Sequence, residues 1–114
     1  MPVLIQMFWE GIKPEQYESL RSSVNWEGNT PKGALFHVSA FDKRGVHVVD
    51  MWDSAQEFNT FVEKRLMPEV KKMGITDLPQ VETYNSHHTH IPGYHKIFGK
   101  VDQMTWFELN KRFN

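Results

Sequence analysis

Residues 34–52 read "ALFHVSAFDKRGVHVVDMW", and how this stretch pairs with itself decides the fold. Ala34 to Phe41 and Gly45 to Trp52 are rich in β-branched and aromatic side chains. They are separated by a short polar loop that ends in glycine, which predicts a β-hairpin. With Phe41 opposite Val46, Ser39 meets Val48 and His37 meets Asp50 on one face. The other face carries Phe36, Val38 and Ala40 against Met51, Val49 and His47. It is the more apolar of the two and is expected to pack on the helices. A slip of one residue would break the His37–Asp50 pair.

On the N-terminal side, "VLIQMFWE" (Val3 to Glu10) reads as a strand. Its odd positions Val3, Ile5 and Met7 are apolar and should face the core, while Leu4, Gln6 and Phe8 face the other way. Gly11 ends it. Pro14 suits a first helical turn, where its missing N–H costs nothing. Tyr17, Leu20 and Val24 then recur three and four apart, predicting a helix over about 14–25. "NWEGNTPKG" (25–33) carries turn chemistry.

On the C-terminal side, Ser54 and Glu57 have the spacing of a capping box. Phe58, Phe61, Val62, Leu66, Val70 and Met73 form the buried stripe of a second helix, and Gly74 stops it. Pro68 lies inside that helix and should kink or break it. "PQVETYNSHHTHIP" predicts a last strand over about 81–91, closed by Pro92 and Gly93. In the tail, Asp102 can cap a short helix burying Met104, Phe107, Leu109 and Phe113. The order strand, helix, strand, strand, helix, strand is the βαββαβ pattern of a ferredoxin-like α+β fold. Right-handed crossovers set the first strand beside the third, with the fourth outside it. The expected organisation is one domain over 1–92, with two helices on one face of an antiparallel sheet. A C-terminal extension, 93–114, docks on its own or a partner subunit.

A chain of 114 residues with a formal net charge of −1 suits one globular domain. It lacks the basic patch that nucleic-acid binding requires. No apolar run approaches the roughly 20 residues needed to span a bilayer, and the N-terminus lacks the basic start of a signal peptide. There are no cysteines, which excludes disulfides and thiolate sites and fits a cytoplasmic location.

The element order, with "LFHVSAF", "GVHVVDMWDSAQEFNTFVEKRLMPE" and "VETYNSHH", resembles the antibiotic-biosynthesis-monooxygenase-like family of dimeric α+β barrels over residues 1 to about 92. The resemblance implies a homodimer whose two sheets face each other. That would cover Leu4, Phe8, Leu35, Phe41, Val46, Val48 and Trp52, which a monomer is expected to expose. It also implies a cofactor-independent oxidation of an aromatic or quinone-type small molecule in a cleft between helices and sheet, with no nucleic-acid or membrane partner. The haem-degrading branch uses an Asn on the first strand and a Trp and a His on the second helix. This chain has Gln6 in that strand and neither residue between Ser54 and Met73.

His37 and Asp50 are the candidate catalytic pair. A carboxylate that orients an imidazole is the minimum a general base near neutral pH needs. Gln6, on the adjacent strand, is expected to share their face and hold a substrate oxygen. Phe8, Trp52 and Asn59 are further candidate substrate contacts. Trp9, Trp26, Trp52 and Trp106 could form an aromatic cage for a flat ligand. The plainer readings are a satisfied polar pair in an interface, core and interface packing for the four indoles, and an exposed amide at Asn59. His88 and His90 form an H-x-H that, on a strand, would project from one side about 7 Å apart. Such a pair can share a zinc if other strands supply ligands, but the sequence offers no clear third. A non-catalytic dimeric ligand-binding or assembly module, and a metal-binding protein built on His88 and His90, are therefore the alternatives. No P-loop and no G-x-S-x-G elbow is present.

Overall fold

The computed structural model describes residues 2–93. The elements are β1 (Val3–Glu10), α1 (Pro14–Ser23), β2 (Ala34–Phe41), β3 (Gly45–Trp52), α2 (Ala55–Phe61), a π-helical turn (Val62–Leu66), α3 (Met67–Lys72) and β4 (Gln80–Asn85). The strands make one antiparallel sheet in the order β2-β3-β1-β4. With α2, the π turn and α3 read as one interrupted helix, this is the expected ferredoxin-like βαββαβ arrangement. The tail helix expected after Asp102, and with it His95 and Trp106, lies outside the described residues. No described helix is long and apolar enough to cross a membrane.

The hairpin register is the one expected: Phe41 faces Val46, Ser39 faces Val48 and His37 faces Asp50. Leu35 falls in a bulge between Ala34 and Phe36. Which face meets the helices is the reverse of the expectation. β1 pairs Val3 with Trp52, Ile5 with Asp50, Met7 with Val48 and Trp9 with Val46. Opposed residues share a face, so the inward apolar set of β1 pulls Val46, Val48, Asp50 and Trp52 inward with it. Phe36, Val38, Ala40, His47, Val49 and Met51 form the open face instead, where Val38 is 47% exposed. Val46, Val48 and Trp52 are thus buried within one chain, not left for a partner to cover.

The second helix resolves its proline with a π turn. Pro68 has no N–H to give, and its ring would press on the carbonyl four residues back. Just before it the ladder widens, with the Met67 N–H donating to the Val62 carbonyl. Upstream, Ser54 Oγ accepts the Glu57 N–H at 3.1 Å and caps α2. Downstream, Gly74 adopts φ +75°. Its N–H donates to Lys71 O at 3.0 Å and the Ile75 N–H to Val70 O at 3.2 Å, closing α3 in a Schellman motif.

β4 stops at Asn85 rather than near 91, because Asn85 already faces Val3, the first residue of β1. After one more bond, from the Ser86 N–H to Pro2 O at 3.0 Å, no partner strand remains. His88 and His90 therefore follow the strand instead of lying on it. Beneath the helices the buried side chains gather in two groups. One holds Val3, Ile5, Val24, Trp52, Phe58 and Phe61, the other Trp9, Ile12, Leu20, Val46, Val48 and Val70. Met7 and Leu66 pack against both, and the polar site sits at this seam.

Candidate functional site

The site is a line of four side chains crossing from helix to sheet. His37 Nδ1 lies 2.7 Å from Asp50 Oδ1. The other oxygen of Asp50 accepts the indole N–H of Trp52 at 3.0 Å. The Tyr17 hydroxyl lies 2.7 Å from His37 Nε2. A carboxylate is an acceptor, so in the neutral imidazole Nδ1 carries the proton, Nε2 presents its lone pair, and the Tyr17 O–H donates to it. Asp50 is the one buried charged side chain among the described residues. Burying it is tolerable because both oxygens are bonded. No buried side-chain nitrogen or oxygen among the described residues lacks a partner.

Each position follows from local structure. His37 and Asp50 meet because a short loop fixes the hairpin register. Trp52 lies two residues beyond Asp50 on the same face of β3 and reaches back to it. Tyr17 leads the apolar stripe of α1, so it points at the sheet. Burial pushes the Tyr17 phenol above its ordinary pKa, against the lowering pull of the Ser39 hydrogen bond and the Arg21 charge. Tyr17 is thus a proton donor over the neutral range.

Tyr17, His37 and Asp50 border a cavity of about 90 Å³ between helices and sheet, whose remaining walls are apolar, chiefly Met7, Val48, Trp26, Phe61 and Leu66, apart from Arg21. Trp26 roofs it, its ring centroid 4.9 Å from that of His37 and 5.5 Å from that of Phe61. Such an arrangement can take a proton from a hydroxyl, with Asp50 holding the imidazole tautomer.

The other sequence candidates lie elsewhere. Gln6 faces Val49 and Glu82, so it is on the open face, not beside His37 as expected. The alternation of β1 places it opposite in direction to Ile5, the residue that faces Asp50. Phe8 is on that open face too. Its ring lies 4.7 Å from that of His47, with the Arg44 guanidinium 4.6 Å from its centroid. Asn59 is exposed on α2 and is not part of the cavity wall. Trp52 is on the cavity side but wholly buried, acting as a donor to Asp50. His88 and His90 have ring centroids 6.4 Å apart. Among the described residues no group of three or more potential ligands could hold a metal ion. Tyr17 joins the site without being expected there, and of the indoles weighed for an aromatic cage Trp26 and Trp9 line the cavity. For Tyr17 a signal exists in the sequence, since it shares a helical stripe with Leu20 and Val24.

No protein-family model and no curated protein matches the chain. Solved structures do. SnoaB, a cofactor-independent oxygenase from Streptomyces nogalater, superposes with TM-score 0.55 at 12% identity, over 77% of this chain and 94% of its own. A protein of unknown function from Nitrosomonas europaea gives 0.56 at 13% identity, over 80% and 93%. The ActVA-Orf6 monooxygenase of Streptomyces coelicolor, solved with nanaomycin D, gives 0.50 at 16% identity, over 80% and 91%. The chain therefore has the fold of the antibiotic-biosynthesis-monooxygenase-like structures.

Proposed function

We propose that this protein is a monooxygenase-like oxidoreductase acting on a phenolic or quinone-type small molecule bound beneath the helices. The observation that supports it is an imidazole Nε2 in acceptor form, backed by a buried carboxylate and bordering an apolar cavity. In this reading the substrate hydroxyl takes the place of the Tyr17 hydroxyl at Nε2, or passes its proton through it. Asp50 stabilises the imidazolium that forms. The electron-rich phenolate ring then reacts with O₂. One oxygen atom stays as a carbonyl and the other leaves as water with two substrate hydrogens. The chain supplies proton transfer, orientation and exclusion of water. The monooxygenase structures of the same fold support this reaction class for the chain.

Oxygen consumption with a panel of hydroquinones tests this. The wild type should consume O₂ above the buffer rate, and His37→Ala should be slower by about 100-fold or more, the usual worth of a general base. Equal rates would contradict the proposal. The cavity also favours a second reading, because about 90 Å³ is well below the roughly 300–1,000 Å³ of ligand pockets. In that reading the protein is a closed binding or assembly module, and the Tyr17–His37–Asp50 line is a satisfied structural network.

A further inference from the structure

The cavity is roofed by one side chain riding on one strap. Trp26 belongs to the segment between α1 and β2, residues 24–33. Two positions near the ends of that segment have positive φ, Asn25 at 54° and Gly33 at 89°. Its middle is bonded to itself: the Asn29 N–H donates to Asn25 O at 2.8 Å, and Thr30 Oγ1 to Trp26 O at 3.0 Å. Side chains tie it to the helices in two places. Arg65, from the π turn, donates from Nη2 to the carbonyls of Val24 at 2.6 Å and Asn29 at 2.7 Å. Arg21 pairs with Glu27 at 2.7 Å, but both are exposed, and such pairs hold little. The Trp26 N–H also donates to the Arg21 carbonyl of α1 at 3.2 Å. Arg65 is therefore the principal side-chain latch, and it comes from the one stretch of the second helix where the ladder changes width.

Two of the chain's own groups stand where a ligand would. The Tyr17 phenol occupies the acceptor nitrogen of His37. The Trp26 indole, a fused bicycle, stands edge-to-face with Trp52 at 6.1 Å and Phe61 at 5.5 Å between centroids, spacings that suit any flat aromatic ring. With the indole in place, the space left is smaller than the roughly 150 Å³ of an apolar cavity that takes benzene.

We propose that Trp26 is the size-determining gate of this chamber, released when the Arg65 latch lets the strap move, so that a flat two-ring ligand enters only where its indole makes way. This deepens the function proposed above and takes from it the idea that the chamber receives a phenol. An indole that swings aside exposes the adjoining rings of Trp52 and Phe61, whose centroids lie 5.6 Å apart, as one aromatic wall, with His37 Nε2 at its polar edge.

The test is anaerobic calorimetric binding of 2-naphthol and of phenol to the wild type, Trp26→Ala, Trp26→Phe, Arg65→Gln and His37→Ala. Removing oxygen separates binding from turnover. Trp26→Ala should bind 2-naphthol about tenfold tighter than the wild type, with Trp26→Phe between them and phenol shifted by less than about threefold. Arg65→Gln should also tighten 2-naphthol, by about fivefold, because affinity scales with the open fraction. His37→Ala should keep the wild-type ratio between the two ligands. Loss of oxygen uptake with this pattern intact removes the oxidoreductase reading and leaves the gate standing. A ratio unchanged in folded Trp26→Phe and Arg65→Gln overturns the gate, as does 2-naphthol failing to bind any variant.

Discussion

At the scale of the residue, His37 is held between a group that accepts and a group that donates, and this assigns its tautomer. Asp50→Asn keeps the shape: its carbonyl can take the Trp52 N–H while its NH₂ faces His37 Nδ1. The imidazole is then driven to the tautomer protonated on Nε2, which has no lone pair to offer a substrate, so oxygen uptake should fall by about 100-fold or more while urea unfolding changes little. Tyr17 gives a pH prediction. Burial raises its folded pKa above the ordinary phenol value of 10.0, so folding favours the protonated form. The resulting stability is complete below pH about 10 and is lost as pH rises through the folded value. Ultraviolet titration should find Tyr17 and Tyr84, the latter held up by the Glu82 carboxylate, ionising late, and Tyr17→Phe should remove one late component together with the stability loss that follows it. The His37–Asp50 pair is legible in the sequence because a short loop leaves the hairpin little choice of register. Trp26 is not legible, since nothing in "NWEGNTPKG" says where an irregular segment folds back. Gln6 falls on the side opposite to the expected one because its direction depends on β1 pairing with β3, and the hairpin alone does not contain that pairing.

At the scale of the element, the reversal of the hairpin faces has a simple cause. Taken alone, Phe36, Val38, Ala40, Val49 and Met51 look more apolar than His37, Ser39, Val48 and Asp50. What decides the face is β1, whose odd residues Val3, Ile5 and Met7 stand beside Trp52, Asp50 and Val48. The inward set of β1, once paired with β3, is enough to dictate which side of the hairpin is buried. The last strand is shorter than its composition suggests for a related reason, since its length is set by the beginning of β1. The helix ends are legible because their chemistry is local. Ser54→Ala should cost about 1 kcal/mol through loss of the cap at the Glu57 N–H. Gly74→Ala should cost a similar amount, about 1 kcal/mol, because its φ of +75° disfavours a side chain. Urea denaturation of each variant checks both values. An unchanged midpoint in either would mean that the end is frayed in solution.

At the scale of the whole molecule, the open face of the sheet carries Val38 and Tyr84, both nearly half exposed, beside the partly covered Leu4, Phe8, Phe36, Val49 and Met51. An apolar face of this kind is expected to close against a second copy, now with these residues at its centre and with Val46, Val48 and Trp52 inside each subunit. Val38→Glu should give a folded monomer in sedimentation while the wild type sediments as a dimer, because Val38 points away from the core. A monomeric wild type in dilute solution would remove the dimer and leave the chamber, which is built within one chain. That independence separates the site from the assembly. The chamber lies between helices and sheet, and the proposed dimer would form on the opposite surface.

The claim that a phenolic proton is received at Nε2 of His37 is tested most directly by nitrogen-15 NMR of the histidine ring, with and without saturating 2-naphthol under anaerobic conditions. The expected result in the free protein is a protonated Nδ1 and a bare Nε2, with the Nε2 resonance moving when the naphthol binds. A ring protonated on Nε2 alone, or an Nε2 resonance that naphthol leaves in place, would contradict it.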